Sequence, residues 1–422
     1  MKLPFLATAL ALAVVAALAS CQRSPSPEAN APAATATPAT APATPVAEPA
    51  KTAYTDLEQL AQRVVTQSAA VKEGEIVLIS GRPSDAELLE DLAVNVRKVG
   101  AFPLVTYSSD RLAKRMFFDV PEKYDTQMDA VGSKLADMVD VNISLGNNAT
   151  ENLFEGADPK RSAARGKADE PVMQKFLRNV RTVELGNNLY PTAWRAERYG
   201  MSEDELAKTF WSGVNLDYSE LQTRGAQVKT ALAAGNEVHI TNPNGTDLKL
   251  SLKGRPVLVS DGVVSAEDMK AGAAAASTYL PAGEVYSTPV AGSAEGKVVQ
   301  SRTYFRGKEV NNLTLTVSGG KVTAMTGEGP GYADLKAEYD AVDDARKNDL
   351  GFVDFGINPN VKLAATSAIG TWVPAGSVTV GTGVNVWAGG NNSVPYGMVL
   401  FLPGSTVTLD GKPIVESGTL KL

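Results

Sequence analysis

Histidine occurs once in this sequence, at His239, and cysteine once, at Cys21. Those two residues bound the chemistry before any motif is sought. A serine nucleophile needs a base, usually histidine, and no G-x-S-x-G string is present. Ser377 and Ser393 lie in glycine-rich stretches, where small polar residues ordinarily serve turns. His239 stands between Val238 and Ile240 in a strand-like run, which reads as a partly buried structural histidine. A single cysteine permits no intramolecular disulfide. The acidic runs Glu203-Asp204-Glu205 and Asp343-Asp344 read as solvated helix faces.

Cys21 has a different use. Residues 1–20 carry Lys2, then an almost unbroken apolar run from Leu3 to Leu18, shorter than the roughly 20 residues of a spanning helix. The run ends in Leu18-Ala19-Ser20-Cys21, the small-residue pattern of a lipoprotein signal. Cleavage before Cys21 would leave its thiol to carry acyl chains such as palmitate. Two or three chains, at about 0.8 kcal/mol per buried methylene, make an anchor that hardly dissociates. Gln22 rather than Asp at the next position points to sorting to the outer membrane, on its periplasmic face. Residues 21–51, rich in Ala, Pro and Thr, cannot bury enough apolar surface to order themselves and read as a tether. A net charge of −7 argues against nucleic acid as a partner and leaves the lipid anchor as the only membrane contact.

With 44% hydrophobic and 21% charged residues, the remaining chain can build a packed core. Helical periodicity over residues 57–71 precedes the apolar strand run of residues 75–79. Ser84 and Glu87 have capping-box spacing for a helix reaching Val99. Further strand runs at residues 101–107 and 139–145, with a helix between them, predict an α/β domain with a mainly parallel sheet over residues 52–220. The loop after the first strand, Ser80-Gly81-Arg82-Pro83, is no dinucleotide fingerprint. Short strand runs at residues 237–241, 247–252, 257–259, 296–304, 312–317 and 322–327, one helix over residues 332–348 and a glycine-rich end predict an α+β domain over residues 221–422.

Four strings in order carry a family resemblance. They are YPTAWRAERYGMSEDELAKTFWSGVNLDY (residues 190–218), GTDLKLSLKGR (245–255), LPAGEVYSTPVAGSAEGKV (280–298) and VTLDGKPIVESG (407–418). Together they resemble the aminopeptidase T family, the thermophilic-type leucyl metallo-aminopeptidases, from about residue 55 to the end. The resemblance implies an α/β domain plus an aminopeptidase-like catalytic domain, usually as a homodimer. It also implies two zinc or cobalt ions held by two glutamates, two histidines and an aspartate.

Carried over position by position, that ligand set thins out. The first glutamate falls on Glu284. The second falls on Phe352, in Leu350-Gly351-Phe352, with Asp354 two residues on and on the same face of a strand. The first histidine falls on Thr379. The closing His-x-Asp pair falls on Tyr396 and Met398, and the family tyrosine near Val386 or Trp387. One ligand of five is retained, two if Asp354 serves. Paired Glu284 and Asp354 could instead cleave glycosides, although nothing indicates a sugar groove. Trp372, Trp387 and Tyr396, with the amides of WAGGNNSVPYG, read equally as pocket or as core. The sequence thus predicts an envelope-anchored lipoprotein with a degenerate aminopeptidase fold, no cofactor, and a peptide or envelope protein as partner. The alternative is an active aminopeptidase with zinc or cobalt in a rebuilt site at Glu284 and Asp354.

Overall fold

The computed structural model describes residues 54–364, 367 and 369–422; the leader, the tether and Cys21 lie outside them. Four strands alternate with helices at the start: β1 (Ile76–Gly81), β2 (Phe102–Tyr107), β3 (Val141–Leu145) and β4 (Arg181–Leu185). Then follow β5 (Glu237–Asn242), β6 (Thr246–Ser251), β7 (Val257–Ser260), β8 (Ser277–Leu280), β9 (Glu284–Ser287), β10 (Glu295–Phe305), β11 (Lys308–Ser318) and β12 (Lys321–Glu328). The chain ends with β13 (Leu350–Gly356), β14 (Val378–Gly383), β15 (Gly397–Phe401), β16 (Thr406–Leu409), β17 (Lys412–Glu416) and β18 (Thr419–Leu420).

These strands form three sheets. The first is parallel, in the order β2-β1-β3-β4-β8, with helices on both faces. Val77 and Ile79 of β1 enter the main core with Leu88, Leu89, Leu92 and Val96 of the helix Ala86–Lys98. Leu78, on the opposite face by strand alternation, packs with Val172 and Phe176 of the helix Pro159–Asn179. The other two sheets are antiparallel, in the orders β12-β11-β10-β6-β5-β16-β17-β18 and β15-β14-β13-β9-β7. The protein is therefore an α/β domain followed by an α+β domain, as the patterning implied.

Two local expectations need correction. Ser84 does not cap the second helix: Pro83–Asp85 form a 3-10 turn, and Asp85 stands at the N-cap without a side-chain cap bond. Proline's fixed φ favours the tight turn, and the Asp85 carboxylate instead accepts from Asn147 Nδ2 at 2.5 Å and from the Tyr190 hydroxyl. The strand β8, beyond the division placed at residues 220 and 221, pairs in parallel with β4 and completes the first sheet. That placement matters for the site. Only residues 281–283 separate β8 from β9, so the chain steps from the carboxyl edge of the parallel sheet into the third sheet at Glu284. Gly283 makes the step at φ +126, where a Cβ would lie 2.7–3.1 Å from Asn358, a conformation and approach open to glycine alone.

Candidate functional site

Pairing in the third sheet decides which residues meet. Gly356 lies opposite Glu284 and Asp354 opposite Tyr286 across β13 and β9. Asp354 also lies opposite Thr379, and Phe352 opposite Gly381, across β13 and β14. Directly paired residues share a face, so Glu284, Tyr286, Asp354, Phe352 and Thr379 all stand on one side of the sheet. Glu284 and Asp354 are diagonal neighbours, a spacing of about 7–8 Å between backbones. Both are buried, as is Thr379. The alternation read between Phe352 and Asp354 is present in the strand.

Aromatic rings fill the space around these carboxylates. The Phe352 ring stacks on Trp372 at 5.8 Å and meets Trp387 edge-on at 4.7 Å. Trp372 meets Trp387 at 6.3 Å and Phe401 at 5.2 Å, and Tyr286 meets Trp387 at 5.3 Å. Gly381 leaves the room that Phe352 occupies: a Cβ there would fall 2.1 Å from the ring. Trp372 and Trp387, 0% and 3% exposed, are therefore core residues. Val386, beside Trp387 in the short turn Val386–Ala388, packs at the edge of the same core.

Glu284 is tied to the parallel sheet. Asn187, just past β4, donates from Nδ2 to Glu284 Oε1 at 2.8 Å and to the Pro281 carbonyl at 3.0 Å. Its backbone N–H donates to Glu184 Oε2 at 2.9 Å. Burial pushes the Glu184 carboxyl up to about 7, with the Asn187 N–H opposing and the Glu284 charge adding to the rise. Burial also lifts the Tyr279 and Tyr286 hydroxyls, with the charge of Glu284 contributing to both. One asparagine thus links two carboxylates from two sheets.

A pair of divalent ions needs several oxygen and nitrogen donors converging on each. Here two carboxylates and a threonine hydroxyl share a face with rings. Among the described residues, no group of three or more His, Cys, Asp or Glu is placed to hold a metal ion. The residues present do not fit the two-metal group.

The remaining positions lie elsewhere. Met398 pairs with Thr382, while Thr379 pairs with Phe401, so alternation turns Met398 to the opposite face from Thr379. Tyr396 precedes the same edge strand, and both residues line a cavity of about 440 Å³ between the two domains. His239 belongs to the eight-stranded sheet, where its Nε2 meets Asp247 Oδ1 at 2.7 Å. Ser393 donates its hydroxyl to Glu170 Oε1 at 2.6 Å and accepts from Arg346 at 3.2 Å. Ser377 serves the turn after Pro374, its N–H donating to the Pro374 carbonyl. Glu184 and Asn187 escaped the sequence reading, although a signal exists. The string Leu-Gly-Asn-Asn occurs at residues 145–148 and again at 185–188, each time where a parallel strand ends, the edge at which such sheets place their sites. Arg195 and Gln300, on the cavity wall, carried no such mark.

Comparison with known proteins agrees with this fold. A model of the thermophilic metalloprotease family (M29) matches residues 53–340. Wild-type AmpT from Thermus thermophilus superposes with a TM-score of 0.65 at 17% identity, over 87% of this chain and 99% of that one. A 2,5-dihydroxypyridine dioxygenase from Pseudomonas putida KT2440 superposes with a TM-score of 0.54 at 14% identity, over 88% and 98%. No curated protein matches by sequence.

Proposed function

The chain belongs to the thermophilic metalloprotease family, and we propose that it is a member that binds a peptide or protein partner without metal-dependent hydrolysis. The observation that carries this reading is Phe352. At the register position where the family resemblance calls for a second metal-binding glutamate, its ring is packed between Trp372 and Trp387 against Gly381. Apolar rings in that volume remove the donors that make two nearby dications favourable and raise the cost of charge beside them. The fold itself does not compel peptide cleavage: it also carries a protein described as a dioxygenase.

The leader-like residues 1–20 and Cys21, the only cysteine, support placement at the cell envelope by a lipid anchor, facing the periplasm. Among the described residues no helix is long and apolar enough to cross a membrane. Homodimerisation, usual in the family the sequence resembles, belongs to the same proposal.

One observation favours a second reading. Glu284 and Asp354 remain buried on one face as diagonal neighbours, so a rebuilt zinc or cobalt site could use both in an active aminopeptidase. Metal content separates the two readings. The full chain, extracted in detergent and dialysed against zinc, cobalt and manganese, would be counted for bound metal while leucyl and alanyl amides are assayed. The binding reading expects neither metal nor turnover. About two ions per chain, with cleavage abolished by a chelator, would overturn it.

A further inference from the structure

The cavity between the domains holds two buried polar side chains whose hydrogen-bonding capacity is not used up. Its volume, about 440 Å³, lies within the roughly 300–1,000 Å³ of pockets that hold small molecules. Most of its wall is apolar, with Phe117, Phe154 and Met173 from the N-terminal domain and Leu313, Met398 and Phe401 from the C-terminal domain. Gln300 of β10 lines it at 2% exposure, and neither its Oε1 nor its Nε2 has a hydrogen-bond partner among the described residues. Buried amides are almost always paired, because leaving both ends unpaired forfeits the water they gave up.

Arg195, in the helix Ala193–Tyr199, lines the same cavity, also at 2% exposure. Its terminal nitrogens donate to neutral acceptors only: the Gly146, Asn148 and Tyr190 carbonyls, the Thr192 hydroxyl and Asn148 Oδ1. Its Nε has no partner among the described residues. The other cavity arginines differ. Arg165 is paired with Asp125, Arg198 with Glu151 and Arg306 with Glu338. Burial lowers the Arg195 guanidinium to about 10, which still leaves it charged at neutral pH. The Glu184 and Asp110 charges oppose that fall from a distance, but no carboxylate among the described residues is in hydrogen-bond contact with the guanidinium. A buried cation is thus left open to an anion, and a guanidinium matches a carboxylate best.

We propose that this interdomain cavity binds an apolar carboxylic acid that carries an amide, of the N-acyl amino acid or N-blocked peptide acid class. Arg195 receives the carboxylate through Nε, Gln300 pairs with the amide through both its oxygen and its nitrogen, and the aromatic and aliphatic wall takes the side chains. The site deepens the reading of the chain as a peptide binder and rests on it. It differs from aminopeptidase recognition, because a blocked amino terminus offers no free amine.

The test uses the full chain in detergent and titrates N-acetyl-phenylalanyl-leucine against its C-terminal amide, read by calorimetry. The acid should bind, and the amide at least about tenfold more weakly. Gln300→Leu should weaken the acid at least about tenfold while leaving the melting temperature equal to or above that of the parent, since it removes an unpaired buried amide. A merely structural Gln300 would instead lower the melting temperature and leave affinity unchanged. Equal affinity for acid and amide, no binding up to about 1 mM, or solvent alone in the cavity of a crystal grown with the acid would overturn the site. Turnover of leucyl amide is followed in the same preparation. Acid binding together with turnover would sink the non-hydrolytic reading and keep the site; no binding and no turnover would sink the site alone.

Discussion

Phe352→Ala separates a packed aromatic core from an open catalytic cleft by a measurable energy. The Phe352 ring is 2% exposed, stacked on Trp372 and edge-on to Trp387, with Gly381 beneath it. Truncating such a ring removes its transfer free energy and leaves a cavity, about 3–5 kcal/mol in sum, of which two ring pairs account for about 1–3. Against a total of about 5–15 kcal/mol for an ordinary domain, that loss moves a urea midpoint well beyond error. Urea titrations followed by tryptophan fluorescence and circular dichroism, with unchanged slope, would measure it. Gly381→Ala supplies the control. Its Cβ would fall 2.1 Å from the Phe352 ring, so the single substitution should cost about 1–3 kcal/mol through overpacking. With Phe352 already truncated the ring clash is gone and only the 2.9 Å approach to the Met398 carbonyl oxygen is left, so the double variant should be more stable than the sum of the singles by a large part of that amount. A cost below about 1 kcal/mol for Phe352→Ala, or strict additivity with Gly381→Ala, would refute the packed-core account.

The other predictions are narrower. The Glu184 carboxyl rises from 4.5 to about 7 on folding, so the folded protein binds the extra proton between those values. Its contribution is therefore lost as the pH climbs through that window, by up to about 3 kcal/mol. The difference in stability between the parent and Glu184→Gln, followed from pH 4 to 8, should trace that fall; a flat difference would count against it. Glu284→Ala leaves the Asn187 amide without its carboxylate and should cost about 1–3 kcal/mol in urea melts; on the proposed binding reading it should change neither metal content nor turnover. On the proposed lipid anchor, which would rest on acyl chains at the Cys21 thiol, Cys21→Ser should move the protein from the membrane fraction to the soluble periplasm. Retention in the membrane would argue for another attachment.

Much of the architecture could be read because fully buried parallel strands are continuous apolar runs. The runs at residues 75–79, 101–107 and 139–145 mark β1, β2 and β3 in this way. The fifth strand of that sheet escaped, because Ser277-Thr-Tyr-Leu280 is short and its partner β4 lies some ninety residues earlier. The helix Pro159–Asn179 escaped for another reason. Only Val172 and Phe176 are buried along it, and Pro171 interrupts its pattern. Arg161 and Arg165 from its first half are instead held on the buried Asp125 carboxylate.

For the site, alternation within one strand was legible and register between strands was not. Phe352 and Asp354 share a face because they are two residues apart, which the sequence states directly. Tyr396 and Met398 are also two residues apart, but their face depends on how β15 slides along β14. A slip of one residue inverts it, and the observed pairing of Met398 with Thr382 sends Met398 away from Asp354. The aromatic filling was equally hidden. Trp372 and Trp387 come from segments outside the third sheet's strands, so no periodicity ties them to Phe352. Their convergence on Phe352, whose ring fills the space over Gly381 where any side chain would exclude it, is a property of the packing. It means that the glutamate the family resemblance calls for at this position is not one that the single exchange Phe352→Glu could supply. A carboxylate placed there would enter a volume closed by two indoles, and would be destabilised by its own burial before any ion could reach it.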